Sequence, residues 1–152
     1  MLHINIICIG KLKEQYLKDA LNEYSKRLYK YCSLKIIELP DEKVPENLNA
    51  NIINNILSHI KNNSYTIALD LHGKQLSSEE FSLKIENIAL NNNSNINFII
   101  GGTLGLSDKL LKQATELISF SKMTFPHQLI RIFLLEQIFR AFKILSNEKY
   151  HH

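Results

Sequence analysis

The sequence predicts a single α/β domain with a mostly parallel sheet covered by helices on both faces. Three observations carry this. Short apolar runs rich in Ile and Leu alternate with stretches of helical periodicity from one end of the chain to the other. The central strand candidates are continuously apolar rather than alternating, as in sheets buried on both sides. And 152 residues, without linker or repeat, form one domain over 1–152, long enough to bury a core unaided.

Residues 2–9 (LHINIICI) read as a first strand, ended by Gly10. Residues 11–31 carry Leu12, Tyr16, Ala20, Tyr24, Leu28 and Tyr31 at helical spacing. A second strand over 34–39 stops at Pro40, DEKVPEN makes a polar connector, and 48–60 is a weaker helix. Residues 65–71 are a third strand, followed by a His72-Gly73-Lys74 turn. Ser77 with Glu79 and Glu80 opens a helix running to about Leu90, since a hydroxyl cap and acidic first-turn residues satisfy the free N–H groups there. Residues 96–100 are a fourth strand, Ser107-Asp108 caps a short helix to about Thr115, and 117–121 is a fifth strand. Pro126 starts a last helix to about Leu145, in the first-turn position proline tolerates.

That last helix is apolar around most of its circumference, from Leu129 and Ile130 to Ile144 and Leu145. A surface helix has one apolar stripe, and this one has two faces to hide. One face packs on the sheet. A symmetric dimer is the simplest cover for the other, because full enclosure inside so small a monomer is hard.

Composition narrows the classes. The chain is 45% hydrophobic and 22% charged, with net charge +3 and pI near 8.8, so a polyanionic partner is permitted but not demanded. The abundant Asn reads as compositional bias. Cys8 and Cys32 lie in or beside apolar runs with no CxxC, which fits buried thiols in a reducing compartment. The N-terminus is too short and strand-like for a signal peptide, and Arg131, Glu136, Gln137, Arg140 and Lys143 interrupt the last helix. A soluble cytoplasmic protein is expected. No metal-ligand spacing occurs, and no Ser-His-Asp arrangement.

Chemistry concentrates late in the chain. GGTLG, residues 101–105, follows a strand and precedes a helix, but it is neither a dinucleotide fingerprint nor a P-loop. Taken alone it is a plain turn. SFSKMTFPHQ, residues 119–128, lies between a strand and the buried helix. In open α/β sheets ligands bind at the carboxyl ends of strands, and this loop, GGTLG and Leu69-Asp70 all leave such ends. His127, beside a helix N-terminus, could act as a base or orient one, although a packing histidine is the commoner outcome.

The run IGG-x-x-G-L, then SFSKMTFPHQLIR, then EQIFRAFKI and a terminal Tyr-His resembles the ribosomal RNA large subunit methyltransferase H family, minimal members of the SPOUT superfamily. IGKLKEQY and IELPDEK extend the resemblance over essentially the whole chain. It implies an α/β fold with a C-terminal trefoil knot, a homodimer, and S-adenosylmethionine as methyl donor with no metal. The implied reaction methylates N3 of a pseudouridine in the helix-69 stem-loop of 23S ribosomal RNA, on the assembled ribosome. Carried over by motif, cofactor contacts fall on Leu69, Gly101, Phe120, Ser121, Lys122, Met123, Thr124 and Phe125. Arg140, Tyr150 and His151 match positions tied to RNA binding or catalysis, with the tail completing the partner's site. NANIINN, standing where the family carries a KEG-type segment, is a departure that touches peripheral RNA contacts.

On that reading Phe120, Met123 and Phe125 make a water-poor pocket, His151 is the candidate base and Arg140 stabilises the imidate or holds phosphate. Lys122, Arg131, Arg140, Lys143 and Lys149 supply cations for RNA. Two rivals are a small phosphoryl-transfer enzyme, disfavoured by the absent P-loop lysine, and a non-catalytic RNA-binding or dimerisation module.

Overall fold

The computed structural model describes residues 1–40, 53–91, 93–102 and 105–148. Five strands, β1 (His3–Ile9), β2 (Ser33–Leu39), β3 (Tyr65–Gln75), β4 (Asn95–Ile100) and β5 (Glu116–Ser119), form one sheet in the order β2-β1-β4-β3-β5. Every pairing is parallel. The helices are α1 (Gln15–Leu28), α2 (53–58), α3 (Ser78–Leu90), α4 (Asp108–Gln113) and α5 (His127–Leu145).

The alternation of strand side chains divides the core in two. Ile4, Ile6 and Cys8 of β1 join Ile67, Phe98 and Ile118 on the face covered by α1, α3 and α5, with Leu134, Ile138 and Phe139 as the α5 contribution. Ile7 and Ile9 turn the other way, with Ala68 and Ile99, against Ile53 and Ile56 of α2 and Leu110 of α4. Both faces are covered, which is why the inner strands carry continuous apolar runs.

One polar row crosses this apolar sheet. Asn5 Nδ2 donates to Asn97 Oδ1 at 3.0 Å, and Asn97 Nδ2 donates to Ser64 Oγ at 2.9 Å and Thr66 Oγ1 at 3.3 Å. Asn97 is buried, so a one-residue slip of β1 or β4 would strand its amide without partners. These asparagines are register pins rather than compositional filler.

Element boundaries move where side chains compete with the regular pattern. The first helix begins at Gln15 because residues 11–14 are held otherwise: the Leu12 N–H donates to Glu38 Oε2 at 2.9 Å and the Lys13 N–H to Gln128 Oε1 at 3.3 Å. At α3 the expected cap is a full capping box, with Ser77 Oγ accepting from the Glu80 N–H at 3.0 Å and Glu80 Oε1 accepting from the Ser77 N–H at 2.9 Å. Those bonds hold the Glu80 carboxyl below the usual range. Pro126 caps α5 rather than occupying its first turn. Of the helix expected over 48–60, residues 48–52 lie outside the described residues, as do DEKVPEN and NANIINN.

The largest departure is in β3. It does not end at Leu71 but runs on to Gln75 through a bulge, with Ile118 of β5 paired to both Leu69 and Lys74. A Cβ on Gly73 would stand 2.6 Å from the Ile118 nitrogen, so the expected turn is a backbone crossing that only glycine fits. The bulged strand crossing β5 is consistent with the C-terminal threading that the resemblance implies.

Candidate functional site

The three strands β4, β3 and β5 lie side by side, so the chain leaving their carboxyl ends converges on one place. There a cavity of about 240 Å³ opens. Ile118 and Ile100 form buried wall at its base, Leu69 and Leu106 add apolar surface, and Ser119, Ser121 and Thr124 add hydroxyls. Gly101, Gly102 and Gly105 bring bare backbone to one side.

Both loops have local reasons for their shape. The Gly105 N–H donates to the Gly102 carbonyl at 3.0 Å, closing a tight turn in which Gly105 has φ +71°. A Cβ on Gly101 would lie 2.8 Å from the Gly105 carbonyl carbon. In the second loop Ser119 Oγ donates to the Ser121 carbonyl at 2.9 Å, and Ser121 Oγ accepts from the Met123 N–H at 3.0 Å. Phe125 meets Phe133 of α5 edge to face, with centroids 5.3 Å apart. His127 and Ile130, in the first turn of α5, complete the lining.

The family model described as "Predicted SPOUT methyltransferase" matches residues 2–151. This chain belongs to the SPOUT methyltransferase family. It is also 58% identical, over 99% of both chains, to the ribosomal RNA large subunit methyltransferase H of Clostridium botulinum (strain 657 / Type Ba4), and so belongs to that family within SPOUT. Among solved structures it shares its fold with one described as a "probable methylase family protein" from Haemophilus influenzae Rd KW20, at TM-score 0.61 and 13% identity over 98% of this chain and 70% of that one. A Legionella pneumophila protein solved with SAM bound is similar at TM-score 0.50 and 13% identity, over 92% of this chain and 66% of that one. Membership in a methyltransferase family favours methyl transfer over both rivals, the phosphoryl-transfer enzyme and the non-catalytic module.

In this SPOUT member, Leu69, Gly101, Phe120, Ser121, Met123, Thr124 and Phe125 all line the one cavity. Lys122 lies in the same loop but is not among the lining residues. Asp70, Leu106 and His127 line it too. Of these, the strand-end rule pointed to Asp70, and position beside the loop pointed to His127. Tyr150 and His151 lie outside the described residues.

Arg140 sits elsewhere. It is thirteen residues beyond His127 on α5, about 20 Å along the helix at 1.5 Å per residue. There its Nε donates to Glu136 Oε2 at 3.1 Å, and the Tyr24 hydroxyl reaches Glu136 Oε1 at 3.4 Å.

Arg131 requires a correction. It was grouped with the cations available to RNA, yet its side chain is 0% exposed. One terminal nitrogen donates to Glu38 Oε2 at 2.7 Å and the other to the Gly10 carbonyl at 3.1 Å. It ties α5 to the ends of β1 and β2 and cannot meet a phosphate. Beside it, burial pushes the Cys8 thiol up to about 11, with Arg131 opposing. Cys32 is likewise raised to about 11 by burial. Both are packing groups.

The lining fits an adenosyl ligand on its own terms. Apolar strand ends suit an adenine, and exposed glycine backbone and hydroxyls suit ribose and amino-acid polar groups. Among the described residues no cluster of His, Cys, Asp and Glu could hold a metal, and no helix is long and apolar enough to cross a membrane.

Proposed function

We propose that this protein is a homodimer that transfers a methyl group from S-adenosylmethionine to N3 of a pseudouridine in the helix-69 stem-loop of 23S ribosomal RNA, on the assembled ribosome. One observation carries the reading: every cofactor position expected from sequence except Lys122 lines a single strand-end cavity. The name of the 58%-identical relative supports the ribosomal substrate, and the SAM-bound Legionella structure of the same fold supports the cofactor.

A partly covered face of α5 supports the dimer, beyond the contacts Ile130 and Phe133 make at the chain's own cavity and Gln137 makes with Ser78. Ile130, Phe133, Gln137, Arg140 and Ile144 are incompletely buried and follow one another at spacings of three, four, three and four. That is the seam a second helix packs into. Arg140 lies on this seam, too far along α5 for its own cavity, which supports the reading that it serves a partner's site. Tyr150 and His151 follow Arg140 in the sequence, and the reading gives each site a pocket from one subunit and polar groups from the other.

When bound, the cofactor supplies an activated methyl on sulfur. The chain must then hold the target nitrogen about 3–3.5 Å from that carbon and in line with it. Phe120 is half-buried while Met123 and Phe125 are exposed at 74% and 37%, so on this reading the loop excludes water from the reacting atoms only once it closes over the bound donor. The target imide is weakly acidic, so His151 takes its proton and Arg140 stabilises the resulting anion. Calorimetry and single-turnover assays on Arg140→Ala and His151→Ala test these roles. Cofactor affinity stays within about threefold while turnover falls by about 10²-fold or more; near-normal turnover in both variants contradicts the assignment.

A further inference from the structure

Asp70 is the one carboxylate among the described residues that line the cavity. It is half-buried within β3, at the bulge that follows Leu69, where the neighbouring wall is Leu69, Ile100 and Ile118. The bulge that takes residues 70–73 out of the β3–β5 pairing holds it in place, with Oδ2 accepting from the His72 N–H at 3.0 Å. None of the ion pairs among the described residues involves it. A carboxylate on an apolar wall is costly unless something compensates its charge. Here the fold supplies one backbone donor and leaves the rest of the carboxylate to whatever enters the cavity.

We propose that Asp70 is the charge-selective residue of the pocket, its carboxylate serving as counter-ion to the sulfonium of the methyl donor, so that the site prefers the charged donor to the neutral product. The inference rests on the cofactor reading above. Methyl transfer forms a carbon–nitrogen bond and breaks the carbon–sulfur bond. The electron pair of the broken bond stays on sulfur, and the proton once on nitrogen passes to the base. The ligand's sulfur therefore goes from cation to neutral thioether. A fixed negative charge nearby stabilises the first and does nothing for the second. It favours exchange of spent S-adenosylhomocysteine for fresh donor. It also has a cost, because attraction to the ground-state cation is partly lost in the transition state, where the charge is already dispersing.

Asp70→Asn removes the charge and keeps an acceptor for the His72 N–H. Calorimetry of S-adenosylmethionine and S-adenosylhomocysteine on the native protein and on this variant reads the effect. The ratio of donor to product affinity falls about tenfold in the variant, equivalent to about 1.4 kcal/mol, a size suited to a partly solvated charge pair. Product affinity stays within about twofold, which also shows that the variant is folded. KM for the donor rises while kcat holds or increases. An unchanged affinity ratio overturns the proposal, whether both ligands weaken together or neither does, and so does a fall in kcat at constant KM. Should the variant not fold, raising the salt on native protein gives the same decision: donor affinity falls more steeply than product affinity, and parallel responses overturn the proposal. A native protein that binds neither ligand contradicts the cofactor reading instead.

Discussion

Arg131 shows how a charged residue in an apolar helix can mislead. From sequence it is one more cation near the ligand loop, but the structure spends it on Glu38 and the Gly10 carbonyl. Arg131→Ala should destabilise the fold by about 3 kcal/mol, the low end for breaking a buried pair, because Glu38 is partly hydrated and can keep some of its solvation. Replacing Arg131 with Met and Glu38 with Leu together should cost much less, and denaturant midpoints of the two variants check the difference. The glycines argue similarly. Gly101→Ala places a methyl 2.8 Å from Gly105 backbone, so one loop must shift. Cofactor affinity should fall at least about tenfold, the effect of a displaced contact worth about 1.4 kcal/mol. The motif made Gly101 legible as a residue that a ligand approaches closely. Gly73 was legible only as a turn, because the strand that crowds it arrives from some 45 residues further along the chain, a contact no local pattern encodes.

At the scale of elements, helices with local signals were the most legible. Ser77 and Glu80 spell out a capping box, and α3 begins where they say. Ser77→Ala should cost about 1 kcal/mol in a denaturant titration, and Glu80→Ala should cost less in the Ser77→Ala background than alone, because each bond of the box supports the other. α1 started four residues late because Glu38 and Gln128, distant in sequence, claim the N–H groups of Leu12 and Lys13. The alternation of strands and helices and the covered faces of the sheet followed from periodicity. Strand order did not. Apolar runs say that β3 and β5 are strands but not that they pair, and it is this pairing that brings Leu69 beside Ile118 and the loop that leaves β5. The candidate site was therefore legible as three loops and illegible as one cavity until the sheet order was known. The apolar girth of α5 has a double cause in the structure: α1, α3 and the sheet bury most of it, and the seam from Ile130 to Ile144 is what remains.

At the scale of the whole molecule, the two buried thiols make stability depend on alkaline pH. Cys8 and Cys32 are raised from 9.0 to about 11 in the folded chain, mainly by burial. A raised folded pKa gives stability that is complete below the unfolded value and is lost as pH climbs through the folded one. The melting temperature should therefore fall across about pH 9 to 11, and Cys8→Ala with Cys32→Ala should flatten that fall relative to the native chain. Assembly makes a second prediction. If pocket and Arg140 come from different subunits, Gly101→Ala and Arg140→Ala chains are each strongly impaired alone when assayed at S-adenosylmethionine well below saturation for the Gly101→Ala chain. Co-expressed, they should recover about a quarter of native activity, because half of randomly paired dimers are mixed and each mixed dimer holds one complete site of two. A site complete within one subunit recovers nothing. The most direct measurement of the central claim is methyl transfer itself. Purified protein with labelled S-adenosylmethionine is given ribosomes from cells lacking the helix-69 modification. Near-stoichiometric label at N3 of one pseudouridine in 23S ribosomal RNA, absent with already modified ribosomes, is the predicted result. Cofactor binding with no label on unmodified ribosomes, or label on another base, contradicts it.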